Sequence, residues 1–109
     1  MNKKIKLVVF VPKSHADVVR KAIGDAGGGK MGNYSHCTFT IKGDGRWLPL
    51  KGSNPTIGKL GELSEEEEER IEFDCEKKLA KKVISAIRKV HPYEEVAINI
   101  YPLLSEKEI

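Results

Sequence analysis

A chain of 109 residues is of one-domain size and can build its own core, so neither a disulfide framework nor a structural metal is required. Its 39% apolar and 32% charged residues exclude a disordered or fibrous chain, and no apolar run approaches the ~20 residues that a bilayer crossing needs. The net charge of +3 conceals 11 Lys/Arg against 3 Asp/Glu up to residue 60 and 8 against 13 thereafter. The early lysines are spread through every element with few aromatics between them, which reads as a solvated surface and not as a nucleic-acid interface.

Met1-Asn2-Lys3-Lys4 leads into Ile5–Val11, a nearly continuous β-branched run expected as a central strand, and not into a signal segment. Pro12 ends that strand. Ser14 offers an N-cap to a helix whose Val19, Ala22, Ile23 and Ala26 fall on one face, and Gly27-Gly28-Gly29 stops it. Tyr34–Ile41 alternates and is expected as the second strand. Lys42 to Ser64, with five glycines and two prolines between Gly43 and Gly61, reads as a long shaped loop. The acidic run Glu65–Glu69 reads as a solvated face or as a partner for basic groups of a neighbouring subunit. Arg70–Phe73 is expected as the third strand, and Asp74 as the cap of a second helix carrying Leu79, Val83, Ala86, Ile87 and Val90 on its apolar face. Pro92 ends that helix, and Val96–Tyr101 alternates as the last strand.

The order βαββαβ predicts an α+β, ferredoxin-like fold: a four-stranded antiparallel sheet with both helices on one face. Val8, Phe10, Ala97 and Tyr101 would then lie on the open face as an apolar patch, which self-association would bury. One domain spanning 1–109, with a long irregular loop at about 42–64, is the organisation expected.

Chemistry-bearing residues concentrate at one edge of this sheet: Arg46, Trp47, Lys51 and Asn54 in the loop, and His91, Tyr93, Glu94 and Glu95 after the second helix, with His15 nearby. Arg46 and Lys51 flanking Trp47 could hold an anionic or planar ligand by charge and stacking, or Trp47 could pack over the sheet edge. His91 reads as a helix C-terminal cap favoured as imidazolium by the helix dipole, or as a ligand contact. Glu94 and Glu95, adjacent on an extended segment, point apart and do not form an acid–base pair. Cys37 and Cys75 have no partner pattern, and a cytoplasmic location keeps them as thiols. The three histidines and two cysteines make no metal-ligand spacing, and no serine or cysteine nucleophile has a base at motif spacing. No cofactor, no catalytic residue and no resident metal are expected, and enzymatic activity by this chain alone is the least supported class.

Four stretches carry a family resemblance: Gly32-Asn33-Tyr34-Ser35-His36-Cys37; Gly45-Arg46 with Pro49-Leu50 and Gly52-Ser53-Asn54-Pro55-Thr56-Ile57-Gly58; Glu69-Arg70-Ile71-Glu72; and His91-Pro92-Tyr93-Glu94-Glu95 with Tyr101-Pro102-Leu103. Together they resemble the inserted middle domain of the Nif-three-like proteins (YqfO type, the GTP cyclohydrolase type-one type-two-like family), here as a standalone chain. The resemblance implies a fold like the trimeric PII signal proteins and the CutA proteins, and hence a homotrimer. It also implies that the family's dinuclear metal site, built from residues of the flanking halves, has no counterpart in this chain. The functional expectation is an oligomeric binding or regulatory module that takes a small-molecule ligand or a protein partner through the long loop. The alternatives are an accessory subunit of a dinuclear-metal hydrolase-like protein and a CutA-like metal-handling protein.

Overall fold

The computed structural model describes residues 3–109; Met1 and Asn2 lie outside the described residues. The chain runs β1 (Lys4–Pro12), α1 (Ala16–Asp25), β2 (Phe39–Trp47), β3 (Ser64–Glu76), α2 (Ala80–Val90) and β4 (Ile98–Pro102). The strands form one sheet in the order β2-β3-β1-β4, and every neighbouring pair is antiparallel. This is the ferredoxin-like α+β arrangement that the element order predicts.

One face of the sheet holds the core. Ile5, Leu7, Val9 and Val11 of β1 and Ile71, Phe73 and Cys75 of β3 alternate inward to meet Val19 and Ile23 of α1 and Val83 and Ile87 of α2. Helix α1 stops where glycine allows it: Gly27 takes a φ of +104°, and the Gly28 N–H returns to the Ile23 carbonyl at 2.9 Å.

Neither helix has the cap that its sequence suggests. Ser14 bonds the His15 ring at 2.8 Å within a 3-10 turn over Lys13–His15, and α1 starts at Ala16 with no side-chain cap. Asp74 stays in β3, where Lys6 on the neighbouring strand pairs with it at 2.9 Å. In both places a strand continues to the edge of the sheet, and the helix begins after a 3-10 turn beyond it.

The hairpin differs more. The second strand starts at Phe39, five residues later than expected, because Met31 and Tyr34 close their own turn and His36 adopts a φ of +61°. The third strand is 13 residues long and absorbs the whole acidic run. It pairs along its first nine residues with β2: in this register Lys42 lies opposite Glu69 and Arg46 opposite Glu65, while Asp44 lies opposite the like-charged Glu67. The irregular loop therefore shrinks to residues 48–63. Beyond Pro12, the last β1 residue paired with β3, the β2–β3 ladder projects as an arm, giving the chain extents of 49 × 26 × 23 Å.

The acidic run is divided between two faces and is not simply solvated. Glu69 is 6% exposed and paired with Arg20 of α1, which also reaches Asp17 and the Thr40 hydroxyl. On the open face Val8 is fully buried, with Glu72 and Asn99 as its cross-strand partners, and Arg70 lies over the Phe10 ring. The exposed apolar groups of that face sit at its two edges, Phe39 and Ile41 on β2 and Tyr101 on β4.

Candidate functional site

Where the arm leaves the sheet, loop 48–63 folds back over the 91–95 turn and encloses a cleft of about 350 Å³. Its walls are largely apolar: Phe10 and Ala97 from the open face, Trp47 from the end of β2, and Pro49, Pro55 and Ile57 from the loop. Tyr93 closes it from the turn, its ring centroid 5.6 Å from that of Trp47 at an interplanar angle of 53°.

Three ties hold these elements together. The Tyr93 hydroxyl donates to the Glu68 carboxylate of β3 at 2.8 Å. The Thr56 hydroxyl donates to the Pro92 carbonyl at 2.7 Å, and the Asn54 backbone N–H donates to both Glu94 carboxylate oxygens at 3.0 and 3.2 Å. Gly45 is part of this construction, because a Cβ there would overlap the Glu68 carboxylate. Burial first, then the Glu68 hydrogen bond and the nearby charges of Glu68 and Glu66, push the Tyr93 phenol well above its ordinary value.

His91 supports the turn from below. Its Nε2–H donates to the Phe10 carbonyl at 2.7 Å, its Nδ1 accepts the Tyr93 N–H at 3.1 Å, and its ring lies 5.1 Å from that of Tyr93. These two bonds fix the neutral Nε2–H tautomer. The residue is buried, and burial pulls its pKa below the usual imidazole range, outweighing the hydrogen bond to Phe10 and the Glu68 charge, which act the other way. The imidazolium expected from the helix dipole is therefore disfavoured: desolvation outweighs half a dipole charge when the ring is sealed between β1 and Tyr93.

Of the eight residues that the sequence brings forward, Arg46, Trp47, Tyr93, Glu94 and Glu95 line the cleft. Asn54 ties the loop through its backbone, His91 lies beneath Tyr93, and Lys51 sits in an exposed turn outside the lining. Arg46 lies 3.8 Å from Glu65. Sequence reasoning missed Glu68, which belongs to a run that reads as solvent-facing; its alternation with Glu69 in an extended strand was the available signal. Among the described residues, no group of three or more His, Cys, Asp and Glu side chains is placed to hold a metal ion.

No protein-family model matches the chain. It is 52% identical over 103 residues to the GTP cyclohydrolase 1 type 2 homolog of Halalkalibacterium halodurans, with 94% of this chain and 28% of that protein aligned. The homolog of the same description from Bacillus subtilis is 50% identical over 90% of this chain and 26% of its own length. The crystal structure of a Bacillus cereus protein related to NIF3 superposes with a TM-score of 0.83 at 49% identity, covering 95% of this chain and 26% of that one. CutA1 from Shewanella sp. SIB1 superposes at a TM-score of 0.69 with 11% identity, over 95% of this chain and 84% of its own, a likeness of fold alone. The chain thus spans about a quarter of the curated relatives that it matches. With half its sequence and its whole fold shared, this chain is a homologue of one CutA-like segment of the NIF3-related, GTP cyclohydrolase 1 type 2 homolog family.

Proposed function

We propose that this chain is an oligomeric binding module, a cytoplasmic homotrimer that takes a ligand in the cleft between loop 48–63, the β2–β3 arm and the 91–95 turn. The cleft carries the reading: about 350 Å³, with apolar walls, three aromatic rings and a few polar groups, is the usual make-up of a small-molecule site. Self-association is supported by Phe39, Ile41 and Tyr101, 66%, 48% and 43% exposed on the open sheet face. Amide NMR of the chain with a diverse small-molecule set tests the site. A ligand that shifts Arg46–Trp47, Ser53–Ile57 and Tyr93–Ala97 together supports it, and ligands that shift only residues elsewhere overturn it. Light scattering that gives a monomer mass at micromolar concentration removes the trimer.

A second reading rests on coverage, since the chain aligns with only 26–28% of the first two relatives. In this reading the segment is an accessory to a dinuclear-metal, hydrolase-like remainder. Deleting the matching segment from a full-length relative and finding metal-dependent hydrolysis unchanged would remove it. The divalent-cation tolerance named for a CutA of Archaeoglobus fulgidus, 11% identical, gains no support from the cleft, because Glu68, Glu94 and Glu95 line it without forming, among the described residues, a group placed to hold a metal ion.

A further inference from the structure

Charge at the cleft is opposite in sign to what Arg46 and Lys51 suggest in the sequence. Lys51 is outside the lining, and Arg46 has its carboxylate partner in Glu65. Three carboxylates, from Glu68, Glu94 and Glu95, line the same cavity, so its fixed side-chain charge is net negative. Beside them stand the rings of Trp47 and Tyr93, which line the cavity with their centroids 5.6 Å apart and their planes tilted at 53°. A ring face attracts a cation through its quadrupole, most strongly for Trp, and nearby carboxylates add a longer-range attraction. An anion entering the same space would meet three like charges and apolar walls against the single guanidinium of Arg46, which is itself 3.8 Å from Glu65.

Taking the cleft as the binding site, we propose that its ligand is an organic cation: a substituted ammonium carried on a small apolar body. The apolar body packs on Phe10, Pro55 and Ile57, while the ammonium sits at the Trp47–Tyr93 pair near the carboxylates. Burial is the first cause of the raised Tyr93 phenol, and the Glu68 hydrogen bond and the charges of Glu68 and Glu66 act in the same direction. Glu94 is partly occupied by the Asn54 N–H and Glu68 by the Tyr93 hydroxyl, and both bonds leave the carboxylate charge in place.

The chain's one tryptophan makes the test direct, because Trp47 emission reports the site itself. Three probes of one shape separate charge from size: choline, its neutral isostere 3,3-dimethylbutan-1-ol, and the anion 3,3-dimethylbutanoate. Choline is expected to change Trp47 emission saturably, the alcohol to bind at least tenfold more weakly, and the butanoate not to bind. Glu95→Gln and Glu68→Gln, each keeping shape and hydrogen-bonding capacity, should weaken choline severalfold and leave the alcohol unchanged. Butanoate or alcohol binding as tightly as choline overturns the cation inference while leaving the cleft as a site. If no probe alters Trp47 emission at tens of millimolar, the inference falls as well, and the cleft reading stands or falls on the NMR screen.

Discussion

Tyr93 and Glu68 join the turn after α2 to the projecting hairpin through one O–H···O bond of 2.8 Å, across 25 residues of chain. Glycine at position 45 leaves room for the carboxylate, and His91 backs the Tyr93 ring at 5.1 Å. Replacing Tyr93 by Phe keeps the ring and removes the bond. A hydrogen bond to a charged acceptor contributes about 1.5–3 kcal/mol, so Tyr93→Phe should lower stability by roughly 1–2 kcal/mol given its half-buried position. The difference in 295 nm titration between parent and variant isolates the Tyr93 phenol, whose ionisation should fall above the ordinary value of about 10. A raised phenol pKa adds stability that is full below about pH 10 and is lost as pH climbs through the displaced value. A difference curve centred at or below 10 would contradict the arrangement.

His91 gives the opposite pH signature at the acid end. Its folded pKa is depressed below that of an unfolded imidazole, about 6.5, so between the two values the unfolded chain binds more protons. The stability contributed by neutral His91 is present above pH 6.5 and is lost as pH falls through the folded pKa. His91→Gln should therefore lose less stability than the parent between pH 6.5 and acid, although it starts lower. Ring-proton NMR checks the cause: the His91 resonance should titrate with a midpoint below 6.5. A midpoint at or above that value would return the residue to a helix-dipole role.

Arg20 and Glu69 make the test of the arm's root. Glu69 is buried, and the guanidinium that neutralises it spans to Asp17 and Thr40. Arg20→Met leaves a carboxylate buried without its partner and should cost about 3 kcal/mol, as breaking buried pairs does. Arg20→Met with Glu69→Leu should recover most of that loss, since removing both partners leaves no orphaned charge. Denaturant unfolding of the two singles and the double closes the cycle; a double variant as unstable as the sum of the singles would refute the coupling.

The sheet, both helices and their core faces were legible in the sequence because Ile5–Val11 and the Val83–Ile87 stripe follow strand and helix periods without interruption. The hairpin was not. Gly43 and Gly45 look like loop punctuation, and five consecutive glutamates look like solvent, yet the two stretches pair as strands, with Lys42 and Arg46 opposite Glu69 and Glu65 and with Gly45 making way for Glu68. Such pairing is a relation between two distant stretches, invisible to a window moved along one. The site was legible by neighbourhood, since five of eight named residues meet at one cleft, but not by charge: the carboxylates that stand near Arg46 and anchor Tyr93 come from a run that reads as solvent-facing.

Glycine positions separate two kinds of backbone demand. Gly29 has a φ of +77°, bonds Asp74 and Cys37 through its own amide and carbonyl, and a Cβ there would lie 2.7 Å from the Cys37 nitrogen. Gly52, at a φ of +98°, has nothing within 4 Å of the same added atom. Gly52→Ala should then cost only the strain of a left-handed residue, about 1 kcal/mol, while Gly29→Ala adds a clash with backbone and should exceed 2 kcal/mol. Equal losses in thermal unfolding would mean that the connection between α1 and β2 is looser than its hydrogen bonds indicate.

The loop over the cleft is held at its middle by Glu94, whose carboxylate receives the Asn54 amide through both oxygens. The pair is exposed, and neither residue contributes to the core. Glu94→Ala should therefore leave global stability within ~0.5 kcal/mol, the range of surface substitutions, while freeing one backbone donor and one of the two turn contacts that shape loop 48–63. Local opening then becomes easier than global unfolding, and amides whose protection depends on the tie exchange through it. Hydrogen exchange should accelerate at Asn54 and leave Leu7, Val9 and Ile71 in the core unchanged. His91→Ala makes the contrasting case, because it removes a buried ring bonded to Phe10 and Tyr93; it should lower the melting temperature as well as loosen the turn. If Glu94→Ala lowered stability as far as His91→Ala, the loop would be part of the folding core and not a separately adjustable wall of the cleft.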